Sequence, residues 1–160
     1  MANLKILGIT KLKVKLCGLK RAGKRIVFAN GCFDILHYGH VKLLEDAKGL
    51  GDILVVGLNS DSSVRKIKGK GRPVRRQDER AALLSALETV DYVTIFSEAT
   101  PEKVIKTLAP DVLVKGGDWH EGSIVGASFV KSRGGDVVSI PLVKGYSTTS
   151  LIDKIRRGSR

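Results

Sequence analysis

The sequence is poor in cysteine, in aromatic residues and in long apolar runs. Its two cysteines, Cys17 and Cys32, are too few for a disulfide framework, and no Cys/His spacing typical of a zinc site occurs. No apolar run approaches the ~20 residues that span a bilayer, and the first residues lack the pattern of a signal peptide. We therefore expect a cytoplasmic protein with no membrane partner, no disulfide and no structural metal.

Acidic residues are also scarce, because 16 Asp and Glu face 28 Lys and Arg, which gives a net charge of +12. Such a balance is typical of proteins that bind polyanions, so a basic nucleic-acid-binding module is one alternative. Aromatic residues make up only 5% of the chain and form no stacking motif, so we expect no specific nucleic-acid partner. We predict that one group of basic residues lies in a single loop: Arg65, Lys66, Lys68, Lys70, Arg72, Arg75 and Arg76. The part of this loop over 68–76 is predicted to be a mobile flap.

Two kinds of apolar segment alternate along the chain. Continuous runs rich in β-branched residues predict five buried strands, at 26–29, 52–58, 92–96, 111–114 and 136–140. Helical spacing predicts helices from Gly39 onward and over 77–88, 101–109, 123–131 and 147–157. The alternation predicts an α/β fold, a Rossmann-like, doubly wound parallel five-stranded sheet with helices on both faces. We expect one domain over 1–160, with an N-terminal extension (1–24, with a short helix capped by Thr10) and a core (25–157).

The most informative stretch is Asn30–His40, which holds two of the three histidines of the chain. His37 and His40 are three residues apart near a predicted helix start, so both imidazoles lie on one side of the helix. Free N–H groups and the dipole at a helix N-terminus favour an anion, and Gly39 leaves room for its approach. The stretch therefore predicts a phosphate site, whereas the alternative is a pair of polar surface residues at a helix cap.

This stretch resembles the G-x-F-D-x-x-H-x-G-H motif of the HxGH nucleotidyltransferase superfamily, in its cytidylyltransferase-like branch. Five further stretches are similar to one group of that superfamily, the adenylyltransferases of ADP-heptose synthesis: 58–61, 68–74, 79–80, 114–118 and 145–150. The resemblance covers residues 10–155 and implies transfer of AMP from ATP to D-glycero-D-manno-heptose 1-phosphate, giving ADP-heptose and pyrophosphate. It also implies that Mg²⁺ accompanies ATP, since no carboxylate cluster suggests a dedicated metal site.

The resemblance further implies roles for individual side chains. The expected catalytic group, which contacts the triphosphate, is His37, His40 and Lys68. The expected nucleotide-binding group is Gly31, Phe33, Gly39, Arg80, Tyr146, Ser147 and Thr148. The expected acceptor-binding group is Asp34, Asn59, Arg72, Lys115 and Asp118. Several of these residues directly follow predicted strands, so we expect them at one edge of the sheet, where ligands of such folds bind.

The nearest alternative within the superfamily is a glycerol-3-phosphate cytidylyltransferase-like enzyme that uses CTP. The histidines do not separate the two, but the Lys-Gly-x-x-Arg-Pro-Val stretch from Lys68 and the Lys-Gly-Gly-Asp stretch from Lys115 favour heptose. The resemblance implies a sugar kinase and a phosphatase as separate proteins of the same pathway. By analogy with the family we also expect a homodimer.

Overall fold

The structure is a computed structural model that describes residues 4–158. Its five strands are β1 (Ile26–Gly31), β2 (Ile53–Asn59), β3 (Tyr92–Phe96), β4 (Val112–Gly116) and β5 (Asp136–Ile140). Its α-helices are α1 (Ile9–Arg21), α2 (Tyr38–Lys48), α3 (Asp61–Lys68), α4 (Gln77–Ala86), α5 (Glu102–Leu108), α6 (Ala127–Ser132) and α7 (Thr148–Arg157). No helix in this described part of the chain is long and apolar enough to cross a membrane.

All strand pairs in the sheet are parallel, and the strand order is β3-β2-β1-β4-β5. The chain builds outward from β1 in one direction through β2 and β3, then returns to the other side of β1 to place β4 and β5. The order therefore reverses between β1 and β4, which is the point where doubly wound sheets bind their ligands. The predicted fold class is confirmed.

Strand residues alternate between two apolar layers, which explains why apolar residues occupy most positions of the strands. In β1, Val27 and Ala29 face one layer, which contains Leu44 of α2 and Leu84 of α4. Ile26 and Phe28 of β1 face the other layer, together with residues of α1, α5 and α6. A strand buried on both faces needs an apolar side chain at every position, and helices cover both faces of this sheet.

The N-terminal helix α1 packs into the core, although we predicted it as part of an extension. Leu12 and Leu16 of α1 are almost completely buried, in the same layer as Phe28. The helix begins two residues earlier than we predicted, because Gly8 and not Thr10 is its N-cap. Ahead of it, Ile6 forms a parallel bridge to Val93 and covers the outer edge of β3.

The sequence prediction missed α3 and placed α6 too early. In α3, only Ser63 and Val64 are buried, so the segment has no apolar periodicity, and it is held instead by Ser60, whose side chain accepts a hydrogen bond from the Ser63 N–H. Arg65, Lys66 and Lys68 therefore lie on a helix, and only the following residues form a loop. The predicted helix over 123–131 is divided into a 3-10 turn (Glu121–Ser123) and α6, because Gly126 has a φ of 88°.

Candidate active site

A cavity of about 450 Å³ opens at the carboxyl ends of β1 and β4, where the strand order reverses. All residues that we predicted for the site line this cavity except Arg80 and Asp118. Sequence reasoning missed an apolar part of the wall, formed by Leu43, Ile67, Leu142 and Val143. Leu43 and Ile67 lie on α2 and α3, and Leu142 and Val143 lie in the segment between β5 and α7, where an apolar side chain resembles an ordinary core residue in the sequence. The cavity is therefore polar where phosphates were expected and apolar on part of its wall.

The two motif histidines are stacked on one another at the start of α2. Their ring centroids are 3.7 Å apart and their planes meet at 20°. His37 is the N-cap of the helix, and His40 also contacts Phe33, with ring centroids 5.1 Å apart. Gly39 permits this packing, because a Cβ at this position would lie 3.2 Å from both the His37 ring and the Cβ of Tyr146. Glycine thus allows the imidazole pair and the Tyr146 segment to approach each other.

Both imidazoles have a nitrogen without a partner. The Nδ1 atoms of His37 and His40 are buried and form no hydrogen bond with any residue of the 4–158 range. Burial lowers the pKa of His37, while burial and the neighbouring His37 lower the pKa of His40 to about 4. Both rings are therefore neutral at neutral pH. A neutral imidazole offers one N–H donor and one acceptor nitrogen, and a buried unpaired nitrogen is costly unless a ligand satisfies it.

Three cationic side chains line the same cavity, namely Lys68, Arg72 and Lys115. Burial lowers the pKa of Lys115, and the positive charge of Lys68 adds to this effect. Within residues 4–158, neither lysine has a carboxylate oxygen within 4.0 Å. Cations held near each other without carboxylates repel one another, and a bound polyanion removes that repulsion.

Helix α7 also begins at the wall of the cavity. Ser147 is its N-cap and forms a reciprocal pair of hydrogen bonds with Ser150, at 3.0 and 3.2 Å. Ser147, Thr148 and Thr149 also line the cavity, so their hydroxyl groups and the helix N-terminus are available to an anion. Ser147 therefore caps α7 and also forms part of the cavity wall.

Asp34 lines the cavity and holds the basic loop (69–76, between α3 and α4) against the phosphate loop (32–37, between β1 and α2). The residue is 2% exposed, and one of its oxygens accepts a hydrogen bond from Arg72 Nε at 2.5 Å. The other oxygen accepts from the backbone N–H groups of Val74 and Arg75, at 2.7 and 3.1 Å. Both oxygens are therefore used within the protein, and the expected flap is fixed by a buried charged clamp.

Arg80 lies behind the cavity wall, so the structure does not support the expected contact with nucleotide. Its guanidinium is completely buried and pairs with Asp61 at 2.7 Å. It also donates to the backbone oxygens of Cys32, Asn59 and Arg75, at 2.6, 2.9 and 3.0 Å. One side chain thus joins the phosphate loop, the end of β2 and the basic loop, and it positions residues that do face the cavity.

The remaining predicted residues differ in their exposure. Asn59 reaches the cavity wall but is 4% exposed, and its Nδ2 donates to Ser63 Oγ at 2.9 Å. Asp118 lies exposed on the turn after β4, outside the cavity lining. Cys32 lines the cavity, and burial raises the pKa of its thiol, so it stays uncharged at neutral pH. These placements leave Lys115, near the end of β4, as the charged side chain of this segment that lines the cavity.

The cavity lies where the strand order of the parallel sheet reverses, and imidazoles, cations and two helix N-termini line it. This arrangement defines a phosphate- and nucleotide-binding protein. The sequence comparisons give the same class in more detail. The profile of the cytidylyltransferase-like family matches residues 28–152, and the chain belongs to that family. The predicted superfamily is confirmed.

Two curated relatives carry the name bifunctional protein HldE. The relative from Citrifermentans bemidjiense is 58% identical over 83% of this chain and 27% of its own length. The relative from Rhodopseudomonas palustris (strain BisB5) is 52% identical over 99% of this chain and 32% of its own length. The chain therefore spans about a third or less of the curated relatives that it matches.

Two solved structures share the fold. The lipopolysaccharide core biosynthesis protein from Thermoplasma volcanium GSS1 is 35% identical, with a TM-score of 0.64 over 78% of this chain and 100% of that chain. Pantoate-beta-alanine ligase from Francisella tularensis is 14% identical, with a TM-score of 0.63 over 96% of this chain and 79% of that chain. The second likeness shows the fold alone.

Proposed function

We propose that the protein transfers AMP from ATP to D-glycero-D-manno-heptose 1-phosphate, forming ADP-heptose and pyrophosphate. The observation that carries this proposal is the stacked pair His37 and His40, whose buried Nδ1 atoms lack partners at the switch point of the sheet. Lys68 and Lys115, which have no carboxylate oxygen within 4.0 Å among residues 4–158, line the same cavity, and so does the N-terminus of α7. This combination suits a polyphosphate better than any uncharged ligand.

The chemistry requires little proton transfer. An oxygen of the sugar phosphate, already ionised at neutral pH, forms a bond to the α-phosphorus of ATP. The bond between this phosphorus and the oxygen that bridges to the β-phosphorus breaks, and pyrophosphate leaves with the electron pair. The protein therefore has to align the two phosphates and stabilise the charge that builds up during transfer. We assign this stabilisation to His37, His40 and Lys68, with Arg72 and the α7 N-terminus as further phosphate contacts.

Two observations support heptose 1-phosphate as the acceptor. Lys115 offers a second cation to the cavity, separate from the histidine pair, so two phosphate-bearing substrates can bind together. The high identity to the HldE relatives and the motifs from Lys68 to Val74 and from Lys115 to Asp118 support the heptose group over other members of the family.

We propose that Mg²⁺ enters with ATP and is held mainly by phosphate oxygens. Residues 4–158 contain no group of three or more His, Cys, Asp or Glu side chains placed to hold a metal. The cavity carboxylate Asp34 is already occupied by Arg72 and two backbone N–H groups. Bound in this way, the ion supplies charge neutralisation on the triphosphate.

The proposal is tested by measuring pyrophosphate release for each pairing of ATP or CTP with heptose 1-phosphate, glycerol 3-phosphate or no acceptor. We expect release only when ATP and heptose 1-phosphate are both present. Release with CTP and glycerol 3-phosphate would instead assign the protein to the alternative reaction. Tight, sequence-dependent binding of DNA at physiological salt, with no release in any pairing, would favour a nucleic-acid-binding module.

The low pKa of His40 predicts a pH-dependent stability. Between its ordinary pKa of 6.5 and its folded value of about 4, the unfolded chain binds a proton at this ring and the folded chain does not. The free energy of unfolding should therefore decrease as the pH falls through this window, and His40 should have no such effect above it. Urea unfolding at about pH 7 and about pH 5 measures the change.

His40→Gln should reduce this pH-dependent loss of stability, since glutamine does not titrate. The matched control is His120→Gln, which changes an exposed histidine outside the cavity and should behave as the wild type. An equal loss in the wild type and in His40→Gln would show that the His40 ring is not held in its neutral form by the fold.

A further inference from the structure

The Trp119 side chain is half exposed to solvent, but hydrogen bonds fix its position. The residue is 49% exposed, but its indole Nε1 donates to the Gly116 carbonyl at 3.1 Å. Its backbone N–H contacts the Gly117 carbonyl and Ser139 Oγ, at 3.0 and 3.2 Å, while the same Ser139 hydroxyl donates to the Gly117 carbonyl. The turn between β4 and the 3-10 helix thus fixes the indole before any ligand binds, which reduces the entropy that binding costs.

The conformation of Gly117 is required for this arrangement. Gly117 has a φ of 111°, and a Cβ at this position would lie 2.9 Å from Trp119 Nε1. Any other residue would therefore strain the backbone and push the indole away from its hydrogen bond to Gly116. The glycine pair after β4 consequently serves to seat the ring beside the cavity, and not only to end the strand.

The ring lies next to Lys115, one of the two cavity lysines that have no carboxylate within 4.0 Å among residues 4–158. Lys115 Nζ is 5.7 Å from the centroid of the Trp119 ring, and Lys115 and Gly116 both line the cavity. Lys115 has no carboxylate within 4.0 Å in the described part of the chain. A phosphate bound to this ammonium would place its own substituent within reach of the indole face.

We propose that Lys115 and Trp119 together form the acceptor subsite, in which the ammonium binds the phosphate of a sugar phosphate and the indole packs against the sugar ring. The inference rests on the proposed function and extends it to the residues that select the acceptor. The negative face of an indole attracts the weakly positive C–H groups of a pyranose, and the contact removes apolar surface from water. A small acceptor such as glycerol 3-phosphate has no ring to make this contact.

Fluorescence can test the subsite directly, because Trp119 is the only tryptophan of the chain. We expect heptose 1-phosphate to shift or quench the tryptophan emission, and we expect inorganic phosphate and a non-hydrolysable ATP analogue to change it little. In Lys115→Met, the concentration of heptose 1-phosphate that gives half of the fluorescence change should increase about tenfold or more. An equal response to the ATP analogue alone would place the triphosphate at Lys115 and overturn the proposal.

Steady-state kinetics supply the second readout. Trp119→Ala should raise the KM for heptose 1-phosphate about tenfold and change kcat and the KM for ATP by less than about twofold, since the lost contact is uniform binding. Trp119→Phe keeps an aromatic face and should recover most of the affinity. An unchanged KM in Trp119→Ala, or a fall in kcat alone, would contradict the subsite.

Failure of the subsite and failure of the proposed reaction give different results. If heptose 1-phosphate is converted to ADP-heptose but neither the emission nor the KM depends on Trp119, the reaction stands and the subsite is wrong. If heptose 1-phosphate changes the emission and Lys115→Met removes that change, but no pyrophosphate is released, the subsite stands and the proposed reaction is wrong.

Discussion

Replacing His40 by alanine should lower kcat by about a hundredfold or more, the range observed when a preorganised donor to developing charge is lost. The imidazole lies in the cavity, stacked on His37 at 3.7 Å, and its Nδ1 has no partner among residues 4–158. This nitrogen is therefore available to a ligand. His37→Ala should have an effect of the same order, because the two rings act on the same phosphates.

The matched control is His120→Ala, because His120 is the third histidine of the chain and is exposed outside the cavity. This variant should keep the wild-type kcat. Circular dichroism and urea unfolding should show that His37→Ala and His40→Ala remain folded. A kcat within about threefold of the wild type in both cavity variants would contradict their assignment to transition-state stabilisation.

Asp34→Ala should destabilise the fold by ~3 kcal/mol and also abolish most of the activity. The substitution leaves Arg72 without its carboxylate and leaves the N–H groups of Val74 and Arg75 without an acceptor. Removing one partner of a buried, hydrogen-bonded pair typically costs 3–5 kcal/mol, and the partial exposure of Arg72 places the expected loss near ~3 kcal/mol. The basic loop should then lose its fixed position against the phosphate loop.

Urea unfolding and steady-state kinetics measure the two effects of this substitution. Asp34→Asn should lie between the wild type and Asp34→Ala, because an amide oxygen still accepts from the backbone but carries no charge for Arg72. Asp46→Ala is the control, since its pair with Lys42 is exposed and should contribute little to stability. A fully active, fully stable Asp34→Ala protein would show that the clamp does not hold the loop.

The sequence could predict the sheet because its strands are buried on both faces. Continuous apolar runs such as Tyr92–Phe96 and Asp136–Ile140 match the observed strands residue for residue. Helix α3 could not be predicted in the same way, because its side chains are mostly polar and its stability comes from the Ser60 cap and from contacts with other segments. A helix with one buried apolar residue has no periodic signal.

The cavity lining could be predicted for a topological reason, whereas the roles of individual charges could not. Residues that follow parallel strands meet at one edge of the sheet, so Gly31, Asn59 and Lys115 had to lie near one another. The roles of Asp34 and Arg80 depend on which partners fill their hydrogen-bonding positions. Apart from Arg75, which is five residues from Arg80, those partners are 19 to 48 residues away in the chain, so no local pattern reveals that both side chains hold loops.

The most direct measurement of the proposed reaction is phosphorus NMR of one mixture that contains the protein, ATP, Mg²⁺ and heptose 1-phosphate. Transfer of AMP predicts that pyrophosphate and a sugar nucleotide with two linked phosphates accumulate in equal amounts. It also predicts that both signals grow about a hundredfold more slowly when His40→Ala replaces the wild type under the same conditions. Formation of ADP together with inorganic phosphate or a sugar bisphosphate would show attack at the γ-phosphorus and would contradict the proposed function.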